Sequence, residues 1–385
     1  MNETDARQVL IVGVTTRALA VSAARAGYQV TAIDAFGDLD LRAAAKVIAL
    51  RSPGTRFDAD VAVTAGQTIP APLVVYTSNL ENRPDAVARL ARGRILLGNP
   101  AALLARVRNP MLLSAALRKR GFVVPITRAR PATGPGEAGW LLKPRRSGGG
   151  HGITRWHPGQ PIPRHSYLQE RISGVPGSVI FAADGSSAVI LGLSRQLVGD
   201  WRFGARSFRY CGSLLGSPST PVFARQEEIL RTASALAVAV TRDFGLVGLN
   251  GLDFIARKGV PYPIEVNPRY SASMELLERA HRLSVFEMHL AACRARLPVM
   301  AIGRAGVEGK AVVFAKQDLT LGNTRPWLGR RSLADVPHPG EQIERGRPIC
   351  TVFARGSDRL TCLSRLAQRA NWVYRHAKTR RRQAA

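Results

Sequence analysis

Residues 245–271 read GLVGLNGLDFIARKGVPYPIEVNPRYS. Residues 252–256 predict one strand, Lys258-Gly259 a turn and residues 262–267 a second strand, so the stretch is a hairpin with a slightly long loop. Side chains alternate along a strand, which puts Glu265 and Asn267 on one face and Ile264 and Val266 on the other. With Asp253 across the ladder on that same face, two carboxylates and an amide oxygen converge. Carboxylates that close repel each other unless a cation lies between them. An oxygen-only set without Cys or His suits Mg²⁺ (or Mn²⁺). Arg269, just past the second strand, is placed to reach an anion held by that metal. The competing reading is a solvated acidic hairpin ended by Pro268. Apolar residues flank each polar one, however, and burying unpartnered charge is costly.

Upstream, residues 139–144 predict a strand that carries Lys143 near its end, followed by Arg145-Arg146-Ser147-Gly148-Gly149-Gly150-His151-Gly152. The glycines let backbone N–H groups wrap phosphate oxygens while Lys143 supplies charge. The Lys precedes the glycines, so this is not a Walker loop. Taken alone, it also reads as a flexible hairpin tip. Residues 166–174, SYLQERISG, read as a strand and turn.

An acid-bearing strand followed about twelve residues later by Glu-x-Asn-Pro-Arg resembles the metal-binding hairpin of the ATP-grasp superfamily, which includes biotin carboxylase and D-alanine–D-alanine ligase. The lysine strand, glycine loop and hinge-like 166–174 stretch match that family in order and spacing over residues 100–300. The resemblance implies Mg²⁺ ions bridging ATP phosphates on Asp253, Glu265 and Asn267. It implies Lys143 on the α- and β-phosphates, with Ser147, Gly148, Gly149 and Gly150 closing over the triphosphate in a loop mobile without ATP. The adenine edge would be read by backbone groups of Glu170, Arg171 and Ile172. Arg269, with Lys143, would stabilise the transferring phosphate or acyl phosphate. Two departures stand out. The phosphate-binding Lys common near Arg108-Asn109-Pro110 is missing, leaving Arg106 or Arg108 as substitutes, and no acid for the ribose follows the hinge in Val175-Pro176-Gly177-Ser178.

The N-terminal stretch begins with an apolar run, residues 9–14, then an Ala-rich helix closed by Gly27 and a second strand ending in Asp34. This is a βαβ start, but the turn after the first strand lacks the second and third glycines of a dinucleotide fingerprint. Residues 1–98 are therefore expected to form a Rossmann-like α/β domain that does not bind NAD. Val61-Ala62-Val63, residues 73–76 and residues 95–98 are expected as its further strands. The loop 77–82 follows a strand end, where open sheets place ligands. Residues 99–305 are expected to form the ATP-grasp region in two α+β halves with a hinge near 170–174, and 306–385 a small C-terminal β-rich part with a basic tail. The fold class is α/β and α+β.

Residues 194–220 read as an irregular basic segment whose Arg195, Gln196, Arg202, Arg206, Arg209 and Tyr210 wall an anionic substrate or simply face solvent. Residues 227–244 predict an amphipathic helix with Ile229, Ala233, Leu236 and Val240 inward and Gly245 as its stop. His281 and His289, eight residues apart in helical sequence, are expected as surface or satisfied core residues.

The chain has 55 Lys and Arg against 27 Asp and Glu, a formal charge of +28, spread along its length. Such a field attracts polyanions, although Arg-rich codon usage gives the same count. No RNA-binding signature is visible, so nucleic acid is not an expected partner. No apolar run approaches the ~20 residues that span a bilayer, and the N-terminus lacks the basic region of a signal peptide. Cys211, Cys293, Cys350 and Cys362 show no metal spacing, the pattern of reduced thiols in a cytoplasmic protein.

The resemblance implies an ATP- and Mg-dependent ligase. It would activate an anionic small-molecule carboxylate as an acyl phosphate for attack by an amine or thiol. The chain looks closest to a group of ATP-dependent carboligases, some of whose relatives accompany tetrahydromethanopterin-linked one-carbon metabolism. The alternatives are an ATP-grasp-type small-molecule kinase and a basic polyanion- or RNA-binding protein with a vestigial nucleotide site.

Overall fold

The computed structural model describes residues 7–50, 57–129, 139–299 and 305–377; the basic tail at 378–385 lies outside the described residues.

Five short parallel strands open the chain: β1 (Gln8–Val12), β2 (Gln29–Asp34), β3 (Lys46–Ala49), β4 (Leu73–Tyr76) and β5 (Ile95–Leu96), in the order β3-β2-β1-β4-β5. Helices α1 (Arg17–Arg25), α2 (Leu39–Arg42), α3 (Ala59–Gln67) and α4 (Pro84–Leu90) connect them. The strand order reverses between β1 and β4, so the loops leaving these two strands open a crevice at one end of the sheet. Asp34 is not left free for a ribose. Its buried carboxylate accepts from the Thr16 N–H and hydroxyl and from the N–H groups of Phe36 and Gly37, at 2.7–2.9 Å. The strand expected at Val61-Ala62-Val63 is instead part of α3. Asp58 caps that helix, accepting from the N–H groups of Asp60 and Val61. Ala59, Ala62, Val63 and Gly66 then bury one helical face, so the cap and the 3.6-residue stripe override valine's strand preference.

Two helices, α5 (Ala101–Val107) and α6 (Pro110–Lys119), lead into a four-stranded antiparallel sheet. Its strands are β6 (Thr127–Arg128), β7 (Trp140–Pro144), β8 (Thr154–Trp156) and β9 (Ser166–Glu170), ordered β6-β9-β7-β8. The largest sheet holds eight antiparallel strands: β10 (Val175–Asp184), β11 (Ala188–Val198), β12 (Tyr210–Leu215), β13 (Val247–Arg257), β14 (Val260–Asn267), β15 (Val307–Phe314), β17 (Leu333–Ala334) and β19 (Pro348–Gly356). Their order is β14-β13-β10-β11-β12-β15-β19-β17, so the C-terminal strands continue the sheet that carries the hairpin. Between them, β16 (Leu319–Thr320) and β18 (Gln342–Ile343) form a separate ribbon.

Alternation along β10 separates two cores. Val179, Phe181 and Ala183 pack on α7 (Gln226–Phe244) through Ile229, Ala233, Leu236 and Val240. Ile180 and Ala182 face the other way, toward α8 (Met274–His281) and α9 (Val285–Cys293). That second core also contains Val9, Ile11 and Leu19, so the N-terminal sheet shares it. Gly245 stops α7 at φ +77°, a left-handed position that glycine tolerates. Helix α10 (Arg359–His376) closes over β15 and β19.

Residues 194–220 are not the irregular segment expected from their sequence. Residues 194–198 complete β11 and Tyr210–Leu215 is β12 in the middle of the large sheet, while the connection around a short turn of helix at Trp201–Phe203 and residues 216–220 are irregular. Polar residues facing a cavity break the apolar alternation and disguise the strands. His281 and His289 sit on two separate helices, α8 and α9. His289 is buried, Nδ1 accepting from the Leu249 N–H at 2.9 Å and Nε2 donating to the Leu97 carbonyl at 3.1 Å. Among the described residues, no helix is long and apolar enough to cross a membrane.

Candidate active site

The hairpin β13–β14 pairs Asp253 with Glu265, Leu252 with Val266 and Gly251 with Asn267, and a bulge follows Asp253. The bulge leaves the acidic face intact, because the register below it is unbroken. The Asn267 amide donates to Asp253 Oδ2 at 3.1 Å, and Ser178 and Gln196 from the neighbouring strands also hydrogen-bond the Asp253 carboxylate. Burial, then the adjacent charge of Glu265, pushes the Asp253 pKa up. Burial also works against charge on Glu265, but Arg108, Lys143 and Arg269 outweigh it and hold that carboxyl below its usual value. Two apposed carboxylates with opposite shifts mark a place where charge is concentrated and incompletely neutralised. Their hard oxygens are of the kind that holds Mg²⁺, while Asn267 turns its amide nitrogen to Asp253 and its oxygen to Arg269.

Lys143 projects from β7 with its ammonium buried, donating to Gln169 Oε1 at 3.0 Å. The Gln169 amide in turn reaches the Ile264 carbonyl at 3.4 Å, which ties the small sheet to the hairpin. After β7 comes the glycine loop. The Ser147 hydroxyl donates to the His151 carbonyl at 2.6 Å, and the Gly149 carbonyl accepts from the Tyr210 N–H at 3.1 Å. Gly150 lies at φ +77°, and a Cβ there would stand 1.8 Å from the Phe208 carbonyl oxygen, so only glycine fits this close approach. Glu170 and Arg171 spend their N–H groups on the carbonyls of Ile126 (2.7 Å) and Gly139 (2.9 Å).

Arg269 is anchored rather than free. It donates to Glu81 Oε1 at 2.6 Å, to Asn267 Oδ1 at 3.2 Å and to the Tyr270 carbonyl at 3.0 Å. Its Nε and Glu81 Oε2 are buried with no partner among the described residues. Of the two substitutes for the missing lysine, Arg108 is in the site. It contacts Glu265 at 3.3 Å, the Val266 carbonyl at 2.8 Å and Asn82 Oδ1 at 3.0 Å. Arg106 is elsewhere, over the Phe244 ring.

Asp253, Glu265, Asn267, Arg269, Arg108 and Lys143 open on one cavity of about 900 Å³. The loops after β1 and β4 (Val14, Thr77, Asn79), Lys143, the glycine loop, residues 170–174 and the hairpin face line it. Of the basic segment, Gln196, Arg209 and Tyr210 line it, whereas Arg195, Arg202 and Arg206 do not. Sequence reasoning missed a buried ionic group at the far end. Arg17 bonds Glu275 and, at 2.8 Å, Asp335, while Lys310 donates to Glu275 at 2.6 Å. A lysine inside the apolar run of β15 and a lone arginine opening an Ala-rich helix were the available signals. Their partners lie up to 318 residues away in sequence.

Comparison with known proteins agrees with this architecture. Residues 107–273 match the family model described as an ATP-grasp domain. The chain has a biotin-carboxylase-like outline: it superposes on the biotin carboxylase domain of Hydrogenobacter thermophilus 2-oxoglutarate carboxylase, a structure with MgADP and bicarbonate, with a TM-score of 0.72. That match has 14% identity and covers 94% of this chain and 88% of that one. N5-carboxyaminoimidazole ribonucleotide synthetase from Thermus thermophilus gives 0.66 at 18% identity, covering 97% and 99%. L-amino acid ligase from Bacillus licheniformis gives 0.67 at 13% identity, covering 96% and 97%. An uncharacterized protein of Methanocaldococcus jannaschii is 28% identical over 116 residues, 30% of this chain and 28% of that relative's length. Residues 107–273 thus match an ATP-grasp domain, and the chain as a whole has the fold of these structures.

Proposed function

We propose that this protein is an ATP- and Mg-dependent ligase that converts a carboxylate to an acyl phosphate, which an amine or thiol then attacks with release of phosphate. The observation that carries the reading is the pairing of Asp253 with Glu265 on a cavity they share with Lys143 and the glycine loop. In this reading Asp253, Glu265 and Asn267 hold Mg²⁺, which neutralises charge on the ATP phosphates when bound. Lys143 supplies fixed positive charge on the opposite wall, and Ser147, Gly148, Gly149 and Gly150 surround the triphosphate with backbone N–H groups. Residues Glu170, Arg171 and Ile172 border the adenine. Arg269, held by Glu81, presents charge to the phosphoryl group in transfer. Arg108 supplies a further positive charge beside Glu265. Catalysis on this plan is positioning and charge neutralisation in a site that excludes water.

Glu265→Gln and Asp253→Asn each remove one anionic oxygen pair while keeping shape. Each is expected to lower ATP turnover by about a hundredfold or more, the scale of removing one charge-stabilising group. The measurement is ADP release with Mg²⁺ across a panel of carboxylates, each with and without amines or thiols. Wild-type turnover in either variant would remove the hairpin from the mechanism. ADP formed alongside a stable phosphorylated product, with no nucleophile required, would make the protein a kinase instead.

A further inference from the structure

The end of the cavity away from the glycine loop is built from the loop after β2, the start of α1, and the strands β15 and β19. Five acids gather there: Asp34, Asp38, Asp40, Asp335 and Glu341. Four have donors. Asp34 takes the four bonds described above, and Asp40 accepts from the N–H groups of Asp335 and Val336, both at 2.9 Å. Asp335 is paired with Arg17, and Glu341 accepts from the His338 N–H at 3.2 Å. Asp38 is the exception. It occupies the N-cap position of α2, yet its side chain makes no capping bond, and no donor to it is found among the described residues.

This unpaired side chain lines the cavity and is only 8% exposed. Burial, followed by the charges of Asp335, Asp34, Asp40 and Glu341, drives its pKa well above the usual carboxylate range. Among the described residues, Arg17 and Lys310 on this wall are committed to Glu275 and Asp335. A buried carboxylate in negative surroundings is uncompensated until a cation arrives. The same elements also contribute the apolar Phe36, Ala18, Val312 and Ile349 to the cavity lining.

We propose that this corner binds the ammonium group of a primary-amine substrate, with Asp38 as its counter-charge and the apolar lining around its carbon chain. The inference rests on the ligase reading for the substrate's role and selects, within that reading, an amine over a thiol. A thiolate would be repelled by these acids.

The test uses the full chain and its Asp38→Asn and Asp38→Glu variants, titrated calorimetrically near pH 7.5 with pentylamine, pentanol and pentanethiol, with MgADP present. Pentylamine is expected to bind wild type and to lose at least about tenfold in affinity in Asp38→Asn, the scale of one charged hydrogen bond. Asp38→Glu, which keeps the charge, recovers part of the loss, an outcome that a purely structural role would not give. No binding of pentylamine to wild type, equal affinity for pentanol or pentanethiol, or unchanged affinity in Asp38→Asn would overturn the proposal. So would loss of one bound Mn²⁺ per chain in Asp38→Asn, which would make the corner a metal site. MgADP affinity and ADP release are read in the same proteins. Asp38-dependent amine binding without any ATP turnover would end the ligase reading while leaving this site standing.

Discussion

Glu275 is buried beneath two cations, Arg17 and Lys310, and it shows how this molecule uses charge inside its walls. Burial alone would raise its pKa, but the two cations outweigh burial and hold it at about 2. Because the folded value is depressed, the stabilisation is fully present above the unfolded value and is lost as pH falls toward about 2. A fall from 4.5 to about 2 corresponds to about 3 kcal/mol. Breaking a buried pair by removing one partner costs about 3–5 kcal/mol, which agrees in scale. Glu275→Gln is therefore expected to lose about 3 kcal/mol at pH 7 by denaturant unfolding. The gap to wild type should narrow steadily as pH is lowered below about 4.5. A pH-independent gap would mean that Glu275 acts through packing. The sequence signals Lys310 and Arg17 as out of place but not what they pair with: Glu275 reads as an ordinary first-turn acid, and its partners are brought to it only by the closure of sheets far apart in the chain.

Among the elements, the hairpin and the glycine loop were the most legible, and for different reasons. The hairpin has period-two alternation, so its face could be assigned from residue parity, and the bulge after Asp253 falls where it does no harm. The loop is legible only as composition. What it packs against was hidden, because residues 207–210 read as solvated loop and instead lead into β12. The structure docks the loop there, through the Gly149 carbonyl and through Arg209 on the His151 ring at 2.7 Å. Gly149 and Gly150 both have positive φ, but only at Gly150 would a Cβ meet backbone; at Gly149 nothing lies within 4 Å. Gly149→Ala carries only the left-handed backbone cost of about 1–2 kcal/mol. Gly150→Ala carries that cost and must also lift the loop from Phe208. Gly150→Ala is expected to weaken ATP binding at least about tenfold more than Gly149→Ala does. It should also speed tryptic cleavage at Arg145 and Arg146. Equal behaviour of the two variants would show that the docked position is irrelevant to nucleotide binding. Strands whose polar residues line a cavity, as Gln196 on β11 and Tyr210 and Ser213 on β12 do, remain the case in which alternation fails, because both faces then look polar.

At the scale of the whole molecule, the N-terminal sheet is fastened to the hairpin by polar links as well as by a shared core. Asn99, fully buried just after β5, donates to the Pro268 carbonyl (3.0 Å), to Asn250 Oδ1 (2.9 Å) and to the Val247 carbonyl (3.2 Å), and accepts from the Val247 N–H (2.8 Å). Tyr76 adds a bond from its hydroxyl to the same Pro268 carbonyl at 3.0 Å. Pro268 lies between Asn267 and Arg269, so the carbonyl held from the N-terminal side is part of the backbone that aims both side chains. Asn99 itself does not line the cavity. Asn99→Leu keeps the volume but strands several buried polar groups, each worth about 1–3 kcal/mol. Its unfolding free energy should fall by about 3 kcal/mol or more. The wild type, whose second core spans both parts, should melt in one calorimetric transition, and the variant should separate an earlier one for the N-terminal sheet. ATP turnover by the folded variant should fall about tenfold or more, because small misplacements of positioning groups are expensive. The two readouts divide the cases. Lost stability with unchanged turnover makes Asn99 a fastener only. Loss of both means that the N-terminal sheet sets the geometry of the hairpin across the interface, and that the cavity owes its shape to two parts of the chain folding as one.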